Sequence, residues 1–230
     1  MNTRAGRPHA IGPILSLPAE PLRPANIGEF EDGECYPEAL VEPFILAYTE
    51  PGATVFDPFT GSGTTLIAAE RLGRVGVGLE IHPERVDWCA AQLRDPSAVR
   101  VGDARALDRL DLPPADLIMT SPPYMTRLGH PENPLTGYQT TDGDYQTYLR
   151  ELTDILTNAA RLLTDTGRLV VNVANLTLDE HFTPLAWDLG QALSRRLQIE
   201  REIVIDWDVP PTWISVDYCL VFSRNRKDHS

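Results

Sequence analysis

"GATVFDPFTGSGTTLIAAERLG", residues 52–73, changes its period half-way along. Residues 52–57, mostly apolar with β-branched members and ending in Asp57, read as a strand. Residues 64–73 carry Leu66, Ile67, Ala68 and Ala69 on a helical pattern that stops at Gly73. Between them, Pro58, Gly61 and Gly63 make a tight turn. A strand that enters a helix through such a turn is the opening of a βαβ unit.

The alternation continues on both sides. Upstream, Leu40, Val41, Phe44, Ile45 and Tyr48 predict a helix starting from Pro37. Downstream, strands are predicted at 75–81, 98–103, 116–121 and 167–175. Helices are predicted at 82–93 and at about 144–163, the second with Tyr148, Leu152, Ile155, Leu156, Ala159 and Leu163 on one stripe. A helix around 182–196 and strands at 200–208 and 215–224 close the pattern. The link "VPPTWI" leaves no room for a crossover helix, so the last two strands must be antiparallel. The predicted class is α/β: a doubly wound, mostly parallel seven-stranded sheet with an antiparallel last strand. Residues 1–34, rich in proline and glycine, read as an extended N-terminal arm. Residues 35–230 read as one domain with a short irregular insert at 125–143.

Composition narrows the function. A chain of 230 residues fits one α/β domain. It has no run of 18 or more apolar residues, so no membrane partner is expected. The apolar run near the N-terminus is short and broken by Pro13, a poor secretory signal. Cys35, Cys89 and Cys219 show no CxxC spacing and read as free thiols of a reducing, cytoplasmic compartment. The five histidines form no metal-ligand pattern, so no metal is expected. A net charge of −13 stands against nonspecific nucleic-acid binding, which needs cationic surface to release counterions.

Ligands in doubly wound sheets bind outside the carboxyl ends of the strands. In the turn "DPFTGSGTT" (57–65), Gly61 and Gly63 let the backbone approach a ligand, and the following helix N-terminus favours an anionic group. A tight turn without a ligand is the competing reading. Leu66 replaces the third glycine of a dinucleotide fingerprint, and no GK[ST] follows, which excludes a P-loop. Asp57 at the strand tip would repel a pyrophosphate and attract a cationic amine. Glu80, 17 residues past Gly63, stands where an acid grips a ribose diol. S-adenosylmethionine carries that amine, a carboxylate and a ribose. Asp103 would then accept from an adenine amino group, or simply cap a helix at "ARAL".

"TSPPY" at 120–124 follows the fourth predicted strand. With "DPFTGSGTT" about 60 residues before it, the chain resembles the DNA amino-methyltransferases, which make N4-methylcytosine or N6-methyladenine. "SPPY" resembles the family's catalytic motif, and "YPEALVEPFI" (36–45) the segment that closes over the methionine end of the cofactor. The resemblance covers roughly 35–223 and implies a Rossmann-like methyltransferase fold with S-adenosyl-L-methionine as cofactor. It implies that Tyr36, Pro37, Asp57, Phe59, Gly61, Gly63, Thr64, Thr65, Glu80 and Asp103 bind that cofactor. Ser121, Pro122, Pro123 and Tyr124 would be catalytic, acting on a target base flipped out of double-stranded DNA. Serine at position 121 is commoner among the N4-cytosine enzymes of the family. No cysteine follows a proline, as a C5-cytosine enzyme would require.

Many of the family carry a large target-recognition region, and no such separate domain is expected here. Arg127, His130 and Tyr138, with Asn133 and Gln139, occupy the insert beside the catalytic loop. They are read as contacts to the nucleic acid, together with Arg4, Arg7 and Arg23 of the arm. A homodimer and a companion restriction endonuclease are compatible with the resemblance. N6-adenine, RNA or protein-glutamine methylation, and a non-catalytic S-adenosylmethionine-binding subunit, are the alternatives.

Overall fold

The structure is a computed structural model that describes residues 11–18, 36–127, 132–141 and 143–225. Its centre is one sheet. The first unit is β2 (Thr54–Asp57), α2 (Thr64–Arg71) and β3 (Val75–Glu80), preceded by β1 (Ile14–Leu17) and α1 (Glu38–Tyr48). Then come α3 (Pro83–Ala90), β4 (Val99–Val101), β5 (Ala115–Thr120) and α4 (Tyr145–Ala160). The chain continues through β6 (Leu163–Leu178), β7 (His181–Thr183), α5 (Leu185–Ser194), β8 (Gln198–Trp207) and β9 (Ile214–Ser223).

The strand order is β1-β8-β9-β6-β5-β2-β3-β4, with β7 paired to the end of β6. β4, β3, β2, β5 and β6 run parallel, and β9 lies antiparallel between β6 and β8. The seven predicted strands are therefore all present, and the antiparallel pair follows from the short link at 208–213.

Two further strands bring the described sheet to nine. β1 lies inside the expected arm and pairs parallel with β8, Ile14 opposite Val204 and Leu17 opposite Trp207. Its proline neighbours are tolerated because it forms the sheet edge. The carbonyl of Pro13 accepts from Val204 N at 2.9 Å. β7 takes the start of the helix expected at 182–196, and Pro184 marks the change to α5. Strand β6 starts four residues before the predicted 167 and extends past 175.

Both faces are covered, as the alternation along β5 requires. Leu117 and Met119 pack with Leu40, Val41, Phe44 and Ile45 of α1, while Ile118 packs with Tyr148, Leu152 and Ile155 of α4. A sheet buried on both faces explains why its strands read as continuous apolar runs. The parallel strands β2 to β5 end on one edge, where their loops meet. Among the described residues no helix is long and apolar enough to cross a membrane.

Candidate active site

The turn after β2 is built round one buried carboxylate. Asp57 is 1% exposed. Its Oδ1 accepts from Phe59 N at 3.0 Å and from the Thr120 hydroxyl at 2.7 Å. Its Oδ2 accepts from the Thr65 hydroxyl at 2.8 Å and the Tyr36 phenol at 3.2 Å. The Tyr36 and Thr65 hydroxyls also lie against each other, and a bond between them is made in place of one to the carboxylate. Burial pushes the Asp57 carboxyl up to about 6, and the four donors pull it back down without cancelling the rise.

Glycine is required twice in this turn. Gly61 has φ +53 and Gly63 φ +90, both left-handed. A Cβ at Gly63 would lie 2.3 Å from Cys89 Sγ on α3. Gly61 N donates to Glu80 Oε2 at 2.9 Å, and His82 N donates to Glu80 Oε1 at 2.9 Å. Each Glu80 oxygen has two lone pairs, so one bond apiece leaves acceptor capacity toward the cleft.

The loop leaving β5 is held as firmly. Tyr148 of α4 donates its hydroxyl to the Pro123 carbonyl at 2.8 Å. The Tyr124 hydroxyl donates to the Asn172 carbonyl on β6 at 3.3 Å and lies 3.4 Å from the Ser121 hydroxyl. Burial pushes the Tyr124 phenol well above its usual range, with the Asp217 carboxylate adding to the rise. Its ring and that of Trp213 meet edge to face at a centroid distance of 6.0 Å. Behind it, Asp217 is 2% exposed and accepts from Asn172 Nδ2 at 2.8 Å and Trp207 Nε1 at 3.0 Å.

These two loops wall one cleft of about 640 Å³. Phe59, Gly61 and Thr64 line it from the first turn, Glu80 from the end of β3, and Ser121, Pro122, Pro123 and Tyr124 from the other side. Such an arrangement holds a ligand between a backbone turn and a rigid Pro-Pro-aromatic loop.

Residues 25–92 match a family model described as DNA methylase. The type II methyltransferase M.Cfr9I of Citrobacter freundii is 41% identical over 71 residues, 30% of this chain and 24% of that relative. Over this segment the chain is similar to DNA methylases. The match spans about a quarter of the relative's length. Beyond the segment the likeness is one of fold alone. TrmN from Thermus thermophilus superposes with a TM-score of 0.59 at 22% identity, covering 82% of this chain and 49% of that one. A TehB-like SAM-dependent methyltransferase from Corynebacterium glutamicum gives 0.55 at 18% identity, covering 84% and 90%.

Of the residues that the DNA amino-methyltransferase resemblance singles out, Tyr36, Phe59, Gly61, Thr64, Glu80, Ser121, Pro122, Pro123, Tyr124 and Tyr138 line the cleft. The others have different places. Asp57 and Thr65 lie beneath the turn, where the carboxylate is enclosed by Phe59 N and the hydroxyls of Thr120, Thr65 and Tyr36 and stands outside the cleft lining. Gly63 packs against Cys89, and Pro37 precedes α1, where its carbonyl accepts from Leu40 N at 3.0 Å. Asp103 takes the capping alternative. Its carboxylate accepts from Arg105 N at 2.9 Å and is gripped by the Arg105 guanidinium at 2.7 Å, while its neighbours Gly102 and Ala104 line the cleft. Burial raises the Asp103 carboxyl, but the bonds from Arg105 outweigh it and hold the group below its ordinary value.

Arg127 turns to α5, pairing with Asp188 at 2.6 Å and lying 5.5 Å from the centre of the Tyr145 ring. Asn133 is buried inside its own turn rather than offered to a ligand. His130, Arg4, Arg7 and Arg23 lie outside the described residues. Trp213, His82 and Leu135 also line the cleft and were not anticipated there. The available signal for Trp213 was an aromatic in a proline turn between two strands. For the other two there was none, because their place depends on tertiary packing.

Proposed function

We propose that this chain is an S-adenosylmethionine-dependent DNA methyltransferase acting on the exocyclic N4 amine of a flipped-out cytosine. One observation carries the reading. The glycine turn after β2 and the Ser121-Pro122-Pro123-Tyr124 loop after β5 face each other across the same cleft.

The cleft fits the cofactor. Glu80 keeps lone pairs for a ribose diol, and the left-handed backbone at Gly61 leaves the wall open for close approach. Phe59 and Tyr36 supply apolar wall, and Thr64 opens helix α2, whose N-terminus suits a carboxylate. Asp57 acts through Tyr36 and Thr65, fixing the turn that would do the holding. When bound, S-adenosylmethionine supplies a methyl group on a sulfonium.

The protein's own share is to make an amine nucleophilic. The lone pair of a cytosine amine is delocalised into its ring. Hydrogen bonds from its two N–H groups to the Ser121 oxygen and the Pro122 carbonyl favour a pyramidal nitrogen and free that pair. Acceptors fixed in advance cost no reorganisation as the reaction proceeds. The proline rings freeze φ, and the Tyr148 bond to Pro123 fixes the carbonyl plane beside them. Tyr124, held at its hydroxyl by Asn172, offers its ring to the extruded base, a stacking contact worth ~1–3 kcal/mol. Alignment of the amine supplies most of the remaining rate.

Serine at 121 supports cytosine as the target. The test is to incubate the chain with methyl-labelled S-adenosylmethionine and mixed DNA and RNA, digest to nucleosides and identify the product by mass. N4-methylcytosine in DNA is the expected product. N6-methyladenine would move the target base alone. Label in RNA or protein only would overturn the DNA assignment, and tight cofactor binding with no transfer would mark a binding subunit.

A further inference from the structure

We infer that residues 132–141 of the insert, expected to face nucleic acid, instead roof the nucleoside end of the cofactor cleft. This rests on the S-adenosylmethionine reading above.

The short 3-10 turn Pro134–Thr136 is pinned on all sides through Asn133, which is 1% exposed. Asn133 Oδ1 accepts from Leu135 N at 3.0 Å, and its carbonyl accepts from the Thr136 hydroxyl at 2.8 Å. Its own N–H donates to the Thr140 carbonyl at 2.9 Å, and Nδ2 donates to Glu151 of α4 at 3.2 Å. A segment used only as a surface probe for nucleic acid has no need of such burial.

The turn is aimed at the ends of β3 and β4. Leu135 is 4% exposed and packs in one cluster with Leu79 and Ala104. Gly137 has φ +64, and a Cβ there would lie 2.7 Å from His82 Nε2 and 3.1 Å from Ile81 Cγ2. The Gly137 backbone therefore lies against the two residues that directly follow Glu80. Leu135, Gly137 and Tyr138 line the cleft together with Ile81 and His82.

The chemistry of that end is specific. Glu80 offers acceptors for a vicinal diol. Beyond it Ile81, Ala104, Leu135 and the Tyr138 ring give apolar wall, with His82 and Arg85 also lining the cleft and Asp103 tied to Arg105. An acid for a diol beside an apolar slot suits a ribose with its flat heterocycle. The insert supplies one wall of that slot, so it selects the cofactor rather than the nucleic-acid sequence.

The experiment is calorimetric titration of the full chain with S-adenosylhomocysteine, with melting curves of the free proteins and KM for DNA as companion readouts. Gly137→Ala pushes a methyl toward His82 at a left-handed φ, and is expected to weaken binding by about tenfold with KM for DNA unchanged. Tyr138→Gly guards against a folding defect. Tyr138 sits at φ +62, where glycine is better suited, so this variant should melt no lower than the parent and still bind several-fold more weakly. If the parent binds and both variants bind equally well, the roof is wrong and the cofactor reading stands. If the variants lose DNA affinity alone, the insert returns to the nucleic acid. If the parent itself does not bind, the S-adenosylmethionine reading falls and takes the roof with it.

Discussion

The Thr120 hydroxyl, at the last position of β5, donates to the Asp57 carboxylate at the last position of β2, 2.7 Å away. The residue after Thr120 is Ser121, and the residues after Asp57 form the glycine turn. Next to the β2–β5 pairing, this hydrogen bond ties together the starts of the two loops that wall the cleft. Thr120 is 0% exposed, so a Thr120→Val variant keeps the shape and removes one of four donors from a buried carboxylate. The expected loss is about 1–3 kcal/mol of stability, read by denaturant unfolding. A change within experimental error would show that the bond adds nothing to stability.

Charge on Asp57 gives a second test. Its folded carboxyl sits near 6 against an ordinary 3.8. Between those values the folded protein holds the proton and the unfolded chain does not. Its contribution to stability is therefore fully present at low pH and falls as pH rises through that window, flattening above it. Asp57→Asn removes this share. The stability difference between parent and variant should shrink by up to about 3 kcal/mol from about pH 4 to about pH 6. The slope left in the variant should belong to Asp217, which burial also pushes up to about 6. A constant difference across that range would mean that Asp57 is not desolvated.

The sequence disclosed the sheet because its signals are local. The turn at 57–65, the length of the 208–213 link and the α4 stripe each follow from residues a few positions apart. β1 escaped because four residues between prolines carry no period, and only pairing with β8 makes them a strand. The two loops could be read as partners from their motifs. The direction of individual side chains could not. Asp57 and Glu80 are both acids at strand tips, yet one is sealed by four hydroxyl and amide donors and the other faces the cleft. Asp103 was balanced between ligand and cap, and Arg105, two residues on, decides for the cap.

Turnover and cofactor affinity should separate at the Pro-Pro loop. Ser121→Ala removes the side-chain acceptor and nothing beneath the glycine turn. Its kcat should fall by about 10²–10³ while the S-adenosylhomocysteine Kd stays put. At Tyr124 the ring and the hydroxyl can be told apart. Tyr124→Phe loses the hydroxyl contacts to the Asn172 carbonyl and Ser121 but keeps the ring, and should cost less than Tyr124→Ala, which removes the stacking face and should approach Ser121→Ala. Equal losses of kcat and cofactor affinity in these variants would make the loop a structural support.

Nucleic-acid affinity should show little debt to Arg127. Each phosphate neutralised by a protein cation contributes a slope of about −0.9 to the salt dependence of binding to duplex DNA. Arg127 was the cation nearest the catalytic loop in sequence, yet its guanidinium is paired with Asp188 at 2.6 Å. Its side chain is 48% exposed, so the pair itself is worth about 0–1 kcal/mol. Arg127→Ala should therefore leave the salt slope unchanged and lower stability slightly, as read by titrations at several salt concentrations and by thermal melting. A slope shallower by about one unit would mean that the guanidinium leaves Asp188 for a phosphate in the complex. A net charge of −13 gives no long-range attraction to DNA, so an unchanged slope fits the proposed reading, in which affinity would come from the extruded base and its cleft.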